Sequence, residues 1–217
     1  MGYTGAVTQG GGADVRELST LTIGKVSVGP MDNNAYLLTC RETGERLLVD
    51  AANDAATLLA LVGAGGLDQV VTTHQHRDHW QALGAVVEAT GARTLAGRAD
   101  APGIPVVTDV LLDDGDRLRV GHVELEVVGL VGHTPGSVAL VHRDPDGPAH
   151  LFTGDSLFPG GPGRTTNPHD FGTLIDDVEH KLFDRLPDDT WFYPGHGKDS
   201  TLGAERASLP KWRSRGW

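Results

Sequence analysis

The stretch Thr73-His74-Gln75-His76-Arg77-Asp78-His79 sets three imidazoles and a carboxylate within six positions, just after the apolar pair Val70-Val71. Buried unpaired, such groups are costly, because a neutral imidazole needs hydrogen-bond partners and a lone carboxylate needs a cation. A divalent metal satisfies all four. Imidazole nitrogen and carboxylate oxygen suit zinc, iron and manganese, whereas calcium and magnesium call for mostly oxygen donors. The bland alternative is a polar surface loop between a strand and a helix, and the rest of the chain weighs against it.

Three further segments end in potential ligands. His133 stands in Gly-His-Thr-Pro-Gly, a tight loop after the strand-like run Val123 to Val131. Asp155 closes Leu151-Phe152-Thr153-Gly154-Asp155, and His196 closes Trp191-Phe192-Tyr193-Pro194-Gly195-His196, each an apolar strand running into a loop. A rigid sheet can aim side chains from such strand ends at one point. His74, His76, Asp78, His79, His133, Asp155 and His196 are therefore the candidate ligands. Seven donors exceed the needs of one tetrahedral zinc and suit two metals that share a carboxylate and a water.

The order His-x-His-x-Asp-His, His, Asp, His resembles the metallo-β-lactamase superfamily, from about Leu21 to His196. That resemblance implies an α/β fold, the αββα sandwich, in a single domain. It also implies a division of ligands: His74, His76 and His133 on one metal, Asp78, His79 and His196 on the other, with Asp155 bridging. Asp155 stands where some lactamases carry cysteine, and the chain's single cysteine, Cys40, lies far upstream. Thr153-Gly154-Asp155-Ser156-Leu157-Phe158, then Gly161-Pro162-Gly163-Arg164, resembles the corresponding segment of glyoxalase II, the hydroxyacylglutathione hydrolases. Asn33-x-Ala35-Tyr36-Leu37-Leu38 and Leu47-Leu48-Val49-Asp50 are similar to that group's first strands.

The activity so implied is hydrolysis of S-2-hydroxyacyl thioesters such as S-lactoyl thiols by a metal-bridging hydroxide. Asp78 and Asp155 are the expected catalytic carboxylates and Arg164 the substrate contact. Two divalent ions are expected as cofactors, zinc foremost, with iron or manganese also suited. Asp50 is expected to orient a ligand histidine. Thr165-Thr166-Asn167-Pro168 lacks the aromatic that glyoxalase II carries there, and only 21 residues follow His196. The resemblance is thus to single-domain glyoxalase-like hydrolases, and the thiol is left open. An iron-dependent persulfide dioxygenase and a lactone hydrolase are the alternative activities.

Composition fits one compact enzyme domain: 217 residues, 39% hydrophobic and 22% charged. A formal net charge of −11 disfavours nucleic acid and anionic membranes as partners, and the resemblance implies a small-molecule thioester. No apolar run is long enough to span a bilayer, and the single cysteine fits a reducing cytoplasm. Residues 1–16, Gly-rich, are expected to form a flexible segment ahead of a domain over 17–217.

The elements that must position the ligands can be outlined. Thr22 to Val28, Ala35 to Thr39 and Arg46 to Asp50 read as consecutive strands, and Val70 to Thr73 as a buried one. Asn53 or Asp54 is placed to cap a helix carrying Leu58, Leu59 and Val62, ending at the glycine-rich stretch Gly63 to Gly66. The spacing of Trp80, Leu83, Val87 and Thr90 predicts a helix from near His79 to Gly91. Strands are expected near Arg93 to Ala96 and Val106 to Val107, and a core-packing helix between Asp170 and Leu186.

Overall fold

The computed structural model describes residues 2–216. Two sheets stack face to face with helices on both outer faces, as the sequence predicts. The first sheet contains seven strands in sequential order: β1 (Asp14–Glu17), β2 (Leu21–Val28), β3 (Asn33–Cys40), β4 (Arg46–Val49), β5 (Gln69–Thr72), β6 (Arg93–Gly97) and β7 (Val110–Leu112). Pairing is antiparallel from β1 to β4 and parallel from β4 to β7. The second sheet holds β8 (Arg117–Val120), β9 (Val123–Gly129), β10 (Val138–Arg143), β11 (Ala149–Gly154), β14 (Trp191–Pro194) and β15 (Ser200–Thr201), with β11 and β14 parallel. A small hairpin, β12 (Leu157–Phe158) with β13 (Gly161–Pro162), follows β11.

Strand alternation divides the apolar residues into three layers. Ile23, Leu38, Leu47, Val71, Leu125, Leu140, Phe152 and Tyr193 fill the space between the sheets. On the outer face of the first sheet, Val26, Leu37, Leu48 and Val70 pack against Leu58 and Val62 of α1 (Ala55–Val62) and Leu83 and Val86 of α2 (Leu83–Thr90). The second sheet's outer face packs Val128, Val141, Leu151 and Phe192 against α3 (Pro168–Asp177), α4 (Leu202–Arg206) and α5 (Leu209–Arg215).

Local chemistry explains the boundaries. Asp54 caps α1 by accepting from the Thr57 amide, and Gly63 stops it with a positive φ of 58°. Asn167 caps α3 through the Asp170 amide, with Pro168 in its first turn. The helix then widens into a π-helical turn over Val178–Phe183, so the stripe through Leu174, Ile175, Val178 and Leu182 is core packing as expected.

Three expectations shift. The chain after the histidine cluster forms only a 3₁₀ turn over Arg77–His79, and α2 begins at Leu83. Trp80 interrupts the helix: its φ is −139°, and its indole donates to the Gln75 carbonyl at 2.8 Å. No strand forms at Val106 to Val107, because Thr94 holds the Val107 carbonyl and Val107 lies 80% exposed; pairing resumes at β7. At the start of the chain, residues 14–17 are paired as β1, and Tyr3 packs against the inter-sheet layer. The boundary expected at residue 17 thus falls at the end of a paired strand.

Candidate metal centre

The topology brings the ends of β5, β9, β11 and β14 to one edge of the sandwich, together with the start of β3. Loops leaving these ends carry all seven candidate ligands. Three groups of donor atoms result, each drawn within 4.8 Å: His74 with His76 and His133; Asp78 with His79 and His196; and His74 with His79 and Asp155. Asp155 reaches both sides, its Oδ1 lying 3.3 Å from His79 Nε2 and its Oδ2 3.4 Å from His196 Nε2 and 3.8 Å from His133 Nε2.

The spacing tests whether metals fit. Donors about 2.1 Å from a tetrahedral ion stand about 3.4 Å from one another. His79 Nε2 and His196 Nε2 are 3.3 Å apart, and Asp78 Oδ2 lies 3.5 Å and 3.2 Å from them respectively. His76 Nδ1 and His133 Nε2 face each other at 2.9 Å. His74 Nε2 and Asp155 Oδ1 are buried without a hydrogen-bond partner. Orphaned polar atoms are expensive in a folded interior unless something coordinates them. The donor set and these orphans both fit divalent metal.

Hydrogen bonds behind the donors settle which ring nitrogen is free. His133 Nδ1 donates to the Arg164 carbonyl at 2.6 Å and His196 Nδ1 to the Met31 carbonyl at 2.9 Å, since a carbonyl can only accept. Both Nε2 lone pairs are left for the centre. Asp50, as expected from the sequence, accepts from His79 Nδ1 at 2.8 Å, and also from the Thr73 amide and hydroxyl. Thr73 Oγ1, its proton committed to Asp50, is left to accept from His74 Nδ1 at 3.1 Å, which frees the orphaned Nε2. Such outer contacts fix ligand orientation and tautomer.

Charge in the centre without metal follows the same contacts. For His79, burial alone would lower the pKa, but the Asp50 and Asp155 carboxylates raise it to about 10. His196 is likewise raised to about 10, against burial, by Asp155 and Asp78. The His196 contact holds Asp78 well below the carboxylate range, and His196 and His79 outweigh burial at Asp155 to do the same. His74, by contrast, is driven well down by burial and by the charge on His79. Protons on His79 and His196 thus occupy positions that a cation could take instead.

Some contributors carry no sequence signature. Asn33 donates from Nδ2 to the Asp78 carbonyl and to Asp78 Oδ2, both at 3.0 Å. Its only signal was its place in the Asn33-x-Ala35-Tyr36 stretch. Asp100, fully buried, accepts from the Gln75 and Gly136 amides and the Thr134 hydroxyl, tying the His74–His76 loop to the His133 loop. Gly195 is needed for space, since a Cβ there would stand 2.2 Å from Asp155 Oδ1. Arg164 is exposed beside the centre and lines a cavity of about 420 Å³ with Phe171 and Arg215. Trp80 and Tyr193 pack into the apolar layers, His169 is exposed at the start of α3, and Cys40 is buried between the sheets.

The family model of the metallo-beta-lactamase superfamily matches residues 28–196. The chain belongs to this superfamily. Its curated relatives include a hydroxyacylglutathione hydrolase from Polaromonas sp., 40% identical over 166 residues, which are 76% of this chain and 62% of the relative. The chain spans roughly half to three-fifths of the length of such relatives. Among solved structures, TTHA1623 in a di-iron-bound form is 32% identical with a TM-score of 0.71, covering 86% of this chain and 98% of that one. ETHE1 from Myxococcus xanthus is 27% identical with a TM-score of 0.75, covering 88% and 84%. The superfamily's two-sheet fold is thus the one seen here, with a His/Asp cluster suited to divalent metal at the edge where the strand ends meet.

Proposed function

We propose that this chain is a metal-dependent hydrolase of S-2-hydroxyacyl thioesters, of the glyoxalase II type, using two divalent metals held by the seven ligands. The observation that carries the reading is Asp155, a carboxylate rather than a thiol, set between two His-rich triads, its Oδ1 3.3 Å from His79 Nε2 and its Oδ2 3.4 Å from His196 Nε2 and 3.8 Å from His133 Nε2. The curated relatives named hydroxyacylglutathione hydrolase support the substrate class. Zinc suits the donor set, and the di-iron form of TTHA1623 makes iron a second candidate.

When bound, the metals would supply a water acidified to near neutrality and a Lewis acid for the acyl carbonyl. The chain's own part is to hold the donors in place. Asp50 fixes His79, the Arg164 and Met31 carbonyls fix His133 and His196, and Asn33 fixes Asp78. A thiolate leaving group needs little protonation, so no side chain has to act as general acid. Arg164 and Arg215 share the adjoining cavity, and neither pairs with a carboxylate among the described residues. They would attract an anionic thiol tail while the acyl end lies at the metals.

Elemental analysis of the purified protein, joined to a panel of thioester, lactone and persulfide substrates, tests the reading. Two metals per chain with thioester turnover are expected, and Asp155→Ala should abolish turnover and lower metal content. One iron per chain with oxygen uptake on persulfide would replace this reading with an oxygenase, and lactone turnover alone would make the chain a lactonase.

A further inference from the structure

His196 sits on a loop whose underside is occupied by a buried ion pair. Lys25, on β2, is completely buried, and the side chain of its partner Asp199 is only 1% exposed, with Nζ and Oδ1 2.6 Å apart. The ammonium has three protons, and three acceptors meet them: Asp199 Oδ1, the Gly197 carbonyl at 2.8 Å and the Gly5 carbonyl at 2.8 Å. A charge is rarely buried for stability alone, because its desolvation offsets much of the attraction it gains. Here it joins two segments that are 192 positions apart, at the residue following His196.

The N-terminal segment is built into the same arrangement. Tyr3 donates its hydroxyl to Asp199 Oδ2 at 2.6 Å, which also accepts from the Trp191 indole at 3.1 Å. Asp14 holds the segment from the other side, accepting from the Thr4 and Gly5 amides and the Thr4 hydroxyl, each at 2.9 Å. The Arg16 guanidinium lies over the Tyr3 and Trp191 rings, 4.2 and 3.9 Å from their centroids. Gly5 takes a φ of 71°, and a Cβ on it would stand 2.5 Å from Asp199 Oδ2. Only glycine lets the backbone approach this closely.

We propose that Lys25, Asp199 and the segment Tyr3–Gly5 form a clamp that positions His196. They act as positioning residues for the Asp78, His79 and His196 ligand group, and leave the His74, His76 and His133 group unaffected. The Gly197 carbonyl is held from below by Lys25 and from the side by Asn34 Nδ2 at 3.0 Å, so the loop cannot move without breaking a buried charge contact. The inference rests on the metal-centre reading for its consequence, though the clamp itself can be observed without metal.

Two full-length variants test it. Lys25→Met with Asp199→Asn removes both buried charges together, and Gly5→Ala keeps both charges in the chain but drives a methyl against Asp199 and displaces the N-terminal segment. In metal-free protein, hydrogen exchange at residues 195–199 should accelerate in both, with the rest of the second sheet unchanged. In cobalt(II) titrations the equivalent lost in a His196→Ala reference should weaken about tenfold or more, the usual effect of removing an outer-shell support, while the other equivalent stays within about twofold. Unchanged exchange, or, in a parent protein that binds cobalt, faster exchange without a selective loss of cobalt affinity, would overturn the clamp. So would acceleration spread through the core of both variants, since that is general destabilisation. If the parent protein bound no cobalt, the metal reading would fail by itself, and unchanged exchange at 195–199 would still reject the clamp while local acceleration would uphold it.

Discussion

Asp50 is held with a φ of 61°, in the left-handed region that costs a residue with a Cβ about 1 kcal/mol or more. What the strain secures is a carboxylate that meets His79 and Thr73 together. Asparagine tolerates this backbone conformation, so Asp50→Asn isolates the charge: zinc affinity, read by competition with a chromophoric chelator, should fall about tenfold or more. Unchanged affinity would mean that Asp50 serves only the turn. At the substrate end, Arg164→Ala should raise KM for a carboxylate-bearing thioester and leave kcat near the parent value, because a distant charge contact binds ground and transition states alike. Parallel measurement with a neutral thioester, where no change is expected, separates that contact from a fault in the His133 loop.

At the scale of elements, the strand ends carrying His133, Asp155 and His196 were legible because each couples an apolar run to a loop with Gly or Pro, and the His74–His79 loop was legible from its density of His and Asp alone. Less legible were the parts that depend on contacts distant in sequence. Asp100 stands alone in its segment and gains its purpose only when the His74 and His133 loops meet around it. Lys25 sits in a strand pattern that gives no sign of an ion pair with Asp199. The helix expected from His79 was misplaced because apolar spacing does not register the turn that Trp80 closes. Glu126 on β9 shows how much an outer face can organise: it meets Arg185 at 2.6 Å, Arg117 at 3.4 Å and Arg143 at 3.5 Å. Burial works against its charge, but the Arg185 hydrogen bond and the three guanidinium charges outweigh it and lower its pKa from 4.5. A lowered folded-state pKa contributes stability that is present above about pH 4.5 and lost as the pH falls through the folded value. Thermal midpoints of Glu126→Gln and parent should therefore differ at pH 7 and converge in acid; a gap independent of pH would show that the charge contributes nothing.

For the whole molecule, the inter-sheet layer supplies the stability on which the centre rests. Phe152 is fully buried there, stacked on Tyr193 at 4.7 Å and edge-on to Tyr36 at 5.4 Å. Phe152→Ala should cost about 3–5 kcal/mol in denaturant unfolding. Chelation should lower the melting temperature of the loaded protein, since a ligand bound only by the native state stabilises it by mass action. No helix among the described residues is long and apolar enough to cross a membrane. Of the seven candidate ligands, His74, His76, Asp78 and His79 follow a strand of the first sheet, while His133, Asp155 and His196 follow strands of the second. An ion bound across that seam is a rivet between two plates, because neither sheet can slide or peel away without giving up ligands. Metal retention then becomes a record of assembly: a chain whose sheets docked out of register would leave the ion behind, and a desalting column would sort correctly built molecules from the rest.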